Sequence, residues 1–171
     1  MTEWMNNEIL GVTIGRYATA LGIILVAFIA KKIFAFFFTR AIVPLAQKTR
    51  RDFDDRFLAC LRKPLEFLIF LAGLFIAVEF LRLPAEPFDL QQLATTLLKA
   101  LFILDIAWIF FNMVDIVDHY LNQWASRTES ALDDHLAPLV RKSLRLFIVI
   151  MAGLMAIQSF GYPVTGVLAS L

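Results

Sequence analysis

The feature that most constrains this chain is a run of twenty-one residues, Leu10 to Ala30, broken by a single charge at Arg16. A run of that length crosses a hydrocarbon core of about 30 Å as a helix. Arg16 falls in its second turn, where a long side chain reaches back to the headgroups. Three more apolar runs follow, at 64–81, 93–117 and 143–160. The chain is 60% hydrophobic and 18% charged, against about 45–50% and about 25% in soluble domains. A chain this short cannot hide so much apolar surface in one aqueous core. In lipid only helices or closed barrels satisfy every backbone group, and no stretch alternates as a barrel strand does. The expected fold is therefore all-α: one transmembrane domain over 1–171, an integral membrane bundle of four transmembrane helices arranged as hairpins. The first ten residues carry Glu3 and Glu8 but no Lys or Arg, so they are not expected to form a secretory signal.

Orientation follows from the basic residues. Lys31, Lys32, Arg40, Lys48, Arg50, Arg51, Arg56, Arg62 and Lys63 crowd the segment after the first span, and the positive-inside rule makes that segment cytoplasmic. The connection at 82–92 holds Arg82 with Glu86 and Asp89, whereas Arg141 and Lys142 stand beside the fourth run. The scheme that satisfies all of these puts the amino terminus outside, 31–63 and 118–142 inside, and the start of a fifth helix at 165–171. Residues 33–47 are too apolar for a solvated linker, so the first helix is expected to continue past the headgroups until Pro44 kinks or ends it. Asp52 or Asp54 is placed to cap the next helix.

One internal repeat stands out. Asp54, Asp55, Arg62, Lys63, Leu65 and Ile69 match Asp133, Asp134, Arg141, Lys142, Leu144 and Ile148 at a spacing of 79, and Ala72-Gly73-Leu74 matches Ala152-Gly153-Leu154 at 80. Each copy has an acidic pair, an Arg-Lys pair and a small-residue notch. Gly73 and Gly153, with Gly11, Gly15 and Gly22 in the first span, form faces on which a neighbouring helix can approach closely.

Chemistry-bearing clusters are few. Asp115, Asp118 and His119, and likewise Asp133, Asp134 and His135, bring carboxylates and imidazole together. They lack a second pair of ligands at recognised spacing, so no metal is assigned. Asp105 lies near the middle of the third run, where a carboxylate costs about 2.5–3.5 kcal/mol on insertion scales, and it must face protein or water. Pairing with Lys99 or another group of the bundle is one reading and a proton or ion relay another. Cys60 is the only cysteine, and the net charge of +1 gives no basic excess for nucleic acid. No nucleophile elbow or phosphate-binding glycine loop occurs, so no enzyme activity, cofactor or small-molecule substrate is expected.

The carboxy-terminal forty residues, LDDHLAPLVRKSLRLFIVIMAGLMAIQSFGYPVTGVLASL, resemble the segment leading into the pore of small-conductance mechanosensitive channels, the MscS-like family. In that resemblance Gly161, Pro163 and Gly166 form the hinge before the pore helix, which Val167-Leu-Ala-Ser-Leu171 opens. The preceding spans resemble the additional amino-terminal hairpins of larger members. It implies the amino-terminal membrane-sensor portion of a tension-gated channel of the bacterial inner membrane, truncated before the pore helix and homo-oligomeric at full length. Arg50, Arg51, Arg62, Lys63, Arg141 and Lys142 would then hold anionic lipid headgroups at the inner leaflet. Two other readings stay open: a helical subunit or half of a secondary transporter, to which the repeat and Asp105 would belong, and a non-transporting membrane scaffold.

Overall fold

The structure is a computed structural model that describes residues 8–9, 12–42, 52–83, 89–125, 133–164 and 166. Four long helices account for nearly all of them: α1 (Ile14–Phe37), α2 (Asp52–Leu81), α3 (Leu90–Ala125) and α4 (Asp133–Ser159). The helical character expected from the apolar runs is present, with one small departure. Before α1, β1 (Glu8–Ile9) pairs antiparallel with β2 (Val12–Thr13), Ile9 opposite Val12. The β-branched side chains of Val12 and Thr13 favour extended backbone, and α1 starts at Ile14 rather than at Leu10.

Three stretches are long and apolar enough to cross a membrane: Ile14–Arg40, Cys60–Leu81 and Leu90–Ile116. The first corrects the expected boundary at Ala30. Lys31 and Lys32 lie inside this stretch, their ammonium groups 5.9 Å over the Phe70 ring and 5.1 Å over the Phe28 ring. A flexible aliphatic stem and an aromatic face let a lysine occupy a position that hydropathy alone treats as an end. The helix then widens into a π-turn at Phe38–Ile42; Pro44 lies outside the described residues. Pro64, where the expected second span starts, sits buried within α2, as prolines of membrane helices can. α4, which holds the run expected at 143–160, is not among these three stretches.

The helices pack in chain order, α1 on α2, α2 on α3 and α3 on α4. Each junction is antiparallel. Ala27 meets Gly73 while Lys31 meets Phe70; Phe75 meets Phe102, and the Leu83 N–H donates to Gln91 Oε1. Asp115 meets Arg141, and Phe111 meets Arg145. On α3, Leu98, Phe102 and Asp105 share the stripe that Phe102 turns toward α2. Ile103, Ala107 and Phe110 share another that lines a groove with Phe147 and Met151 of α4. At 100° per residue these stripes lie on opposite sides of the helix, so the array is an open row of hairpins. Its accessible surface is 12609 Å², against about 8,500 Å² for a compact water-soluble monomer of this mass. Much of the excess is apolar: Leu21 is 69% exposed, Val26 63% and Leu146 62%. In water that surface would be costly at about 25 cal/mol per Å²; lipid removes the penalty.

Candidate functional site

The antiparallel order gathers the basic residues of separate segments at one end of the row. Arg40 closes the apolar stretch of α1, Arg62 and Lys63 lie early in α2, and Arg141, Lys142 and Arg145 lie early in α4. Asp115 joins them from the far half of α3. Asp115 accepts hydrogen bonds from Arg141 Nη2 at 2.6 Å and from Arg145 Nη2, and the Arg145 guanidinium lies 4.7 Å over the Phe111 ring. Two i, i+4 pairs thus face each other, Phe111 with Asp115 and Arg141 with Arg145, a spacing that brings side chains onto one helix face. Arg62 Nε donates to Glu66 Oε1 at 2.8 Å within α2. The Arg40 guanidinium stacks 5.2 Å over Phe36, beside a cleft of about 490 Å³ lined by Ala35, Phe36, Thr39, Arg40 and Arg62.

Among the residues whose side chains the structure describes at this end, these six cations stand against two carboxylates, Glu66 and Asp115, an electropositive balance. Lys63 and Lys142 are exposed, whereas Arg50 and Arg51 lie outside the described residues. Arg145 was not singled out by the sequence reading, although its i, i+4 spacing from Arg141 was visible. Asp115, grouped there with Asp118 and His119 as a possible ligand, is engaged by arginines instead. Among the described residues no three His, Cys, Asp or Glu side chains come together as a metal site.

The second feature is Asp105. It is 2% exposed, and neither carboxylate oxygen has a hydrogen-bond partner among the described residues. It lies seven residues from Leu98 and three from Phe102, on the stripe facing α2. Lys99 is exposed on another face of α3, so the pairing considered from sequence is not made.

The small-residue positions divide. A β-carbon on Gly73 would lie 2.1 Å from the Ala27 Cβ, whereas one on Gly22 or Gly153 would meet nothing within 4 Å. Gly15 lines a polar cleft of about 590 Å³ at the opposite end of the row, with Thr19, Glu79 and Arg82; Gly11 lies outside the described residues. After α4, Gly161 takes φ +87° and its N–H donates to the Gln158 carbonyl at 2.9 Å, a left-handed helix stop. Pro163 and Gly166 are exposed; Thr165 and 167–171 lie outside the described residues. Arg82, the residue after α2, takes φ 46°.

No family model matches the chain and no solved structure matches it. Relatives by sequence do. An uncharacterized MscS family protein of Bacillus subtilis is 27% identical over 89% of this chain and 40% of its own length. The small-conductance mechanosensitive channel MscMJ of Methanocaldococcus jannaschii is 27% identical over 98% of this chain and 47% of its own. An uncharacterized MscS family protein of Aquifex aeolicus is 20% identical over 98% and 44%. This chain therefore spans under half the length of these relatives. Over nearly all of its residues, three helices long and apolar enough to cross a membrane among them, the chain is similar to proteins of the MscS family.

Proposed function

We propose that this region is the membrane-embedded, tension-coupled part of a mechanosensitive ion channel, working with a pore formed by sequence beyond the matched region in a homo-oligomer. The observation that carries this reading is similarity to MscS family proteins along nearly the whole chain, one of them named a mechanosensitive channel. The physics fits. Membrane tension does work equal to tension multiplied by the in-plane area gained, so it favours whichever conformer occupies more membrane, and it needs no ligand. An open row of helices with apolar side chains on its outer faces takes up that work across its whole width.

In this reading all four helices cross the bilayer, α4 included, with Arg145 held at the interface by Asp115. A fifth begins at 165–171 after the Gly161, Pro163 and Gly166 hinge, ahead of the pore. The electropositive end faces the cytoplasm of a bacterial plasma membrane, leaving the amino terminus outside. There Arg50, Arg51, Arg62, Lys63, Arg141 and Lys142 hold anionic headgroups, each worth about 1 kcal/mol. The region carries out no enzymatic reaction.

The test is osmotic. Cells stripped of their own mechanosensitive channels and expressing the complete reading frame should survive a downshock that kills the parent strain. Excised patches should show tension-gated conductance. Survival no better than the parent, with the protein present in the membrane, would count against the channel. Proton-coupled uptake abolished by Asp105→Asn would favour the transporter.

A further inference from the structure

Asp105 is the described side chain that the tension-coupled reading leaves without a task. Its carboxyl is enclosed between α2 and α3, 2% exposed and without a hydrogen-bond partner among the described residues. By the register of Phe75 against Phe102, it lies level with the turn of α2 around Leu71, itself only 1% exposed. By the register of Asp115 against Arg141, it lies level with Met151 of α4 on the far side of α3.

Charged and titratable groups on the neighbouring helices all stand away from that level. Among the described side chains of α2 they are Cys60, Arg62, Lys63, Glu66 and Glu79: the first four toward one end of the row, with Glu66 holding Arg62, and Glu79 toward the other with Gln91. On α4, Arg141 and Arg145 are bound to Asp115, and Lys142 lies beside them. Lys31 of α1 is level with Asp105 but on the opposite side of α2, over the Phe70 ring.

We propose that Asp105 is a proton-binding site built into the α2–α3 interface: the packed row holds its carboxyl as the neutral acid, and separation of the two helices releases the proton to water. On release the O–H bond breaks, the electron pair stays on the carboxylate and the proton passes to a water molecule. The chemistry of the enclosure selects a proton over other cations. Calcium and magnesium take six or more oxygen ligands and zinc four, and among the described residues no three His, Cys, Asp or Glu side chains come together as a metal site. An unpaired buried carboxylate is strongly disfavoured, and such a group neutralises instead. The neutral acid gains a donor, which the helix's own carbonyls one turn back can accept. Thr39 and Thr95 already bond this way, to the Ala35 carbonyl at 2.8 Å and the Gln91 carbonyl at 2.9 Å.

The proposal rests on the membrane placement and not on channel activity, so the osmotic test can fail without touching it. It is read by infrared spectroscopy of the protein in liposomes, with aspartate labelled by carbon-13 at the side-chain carboxyl. The wild type should show a protonated-carboxyl band at neutral pH that shifts with the label and disappears in strongly alkaline buffer. Asp105→Asn should remove that band. Asp105→Glu should keep an acid band that no longer responds to the aspartate label, a control that holds if the asparagine variant fails to fold. Carboxylate bands alone in the wild type at neutral pH, persistence of the acid band in Asp105→Asn, or its complete loss in Asp105→Glu would each overturn the assignment.

Discussion

Ala27 of α1 rests directly on Gly73 of α2, so closely that a β-carbon on the glycine would lie 2.1 Å from that of the alanine. In lipid, where burial of apolar surface gives little drive to join helices, such backbone approach supplies much of the packing energy. Gly73→Ala must push the helices apart and should destabilise the protein by about 1–3 kcal/mol, the range for overpacking. Gly153→Ala meets nothing within 4 Å and should be neutral or stabilising by up to about 1 kcal/mol through helix propensity. Unfolding in mixed detergent micelles measures both.

Asp115 joins α3 to α4 by neutralising two arginines that stand four residues apart on one helix face. Asp115→Asn leaves those like charges facing each other. Because the carboxylate is about half exposed, the loss should be modest, on the order of 1 kcal/mol, and smaller still at high ionic strength. A salt titration of wild-type and variant unfolding should bring the two curves together. A difference that ignores salt would mean that the residue acts through packing.

The two helix stops differ in strain. Arg82 holds φ 46° with a side chain, and Gly161 holds φ +87° without one. Gly161→Ala has open space around it, so its cost is the backbone alone, about 1–2 kcal/mol. Arg82→Gly relieves the same strain but loosens the unfolded chain, for a net gain of less than about 1 kcal/mol. Thermal unfolding of the pair should shift in opposite directions.

Lys63 and Lys142 are exposed at the electropositive end. Replacing both with Gln should reduce retention of anionic phospholipid on the purified protein, by about fivefold for each charge of about 1 kcal/mol. Native mass spectrometry of protein purified from mixed zwitterionic and anionic lipid reads this directly. Unchanged anionic lipid in the double variant would remove these lysines from headgroup binding.

The helices were legible because they depend on composition along a segment. Apolar runs announce lipid contact, and an acid in mid-run must be enclosed. Other features depend on what lies across an interface. Lys31 and Lys32 read as the end of a span because hydropathy does not register Phe70 and Phe28 beneath them. Gly22, Gly73 and Gly153 look alike along the chain, yet Gly73 alone of the three has a neighbour within 4 Å of its missing β-carbon. Asp115 carried the spacing of a ligand and turned out to be an ion-pair partner, because α4 brings Arg141 and Arg145 to it.

Everything functional here requires the arginine-rich end of the row to lie on one side of the membrane and the α2–α3 turn on the other. Single cysteines placed at Lys63, Asp89, Lys142 and Tyr162 in a Cys60→Ser background, treated in intact cells with a membrane-impermeant maleimide, test this most directly. The account predicts labelling of the cysteines at 89 and 162 from outside, and of those at 63 and 142 only after permeabilisation. Labelling that separates 63 from 142, or that reaches all four positions in sealed cells, would contradict it.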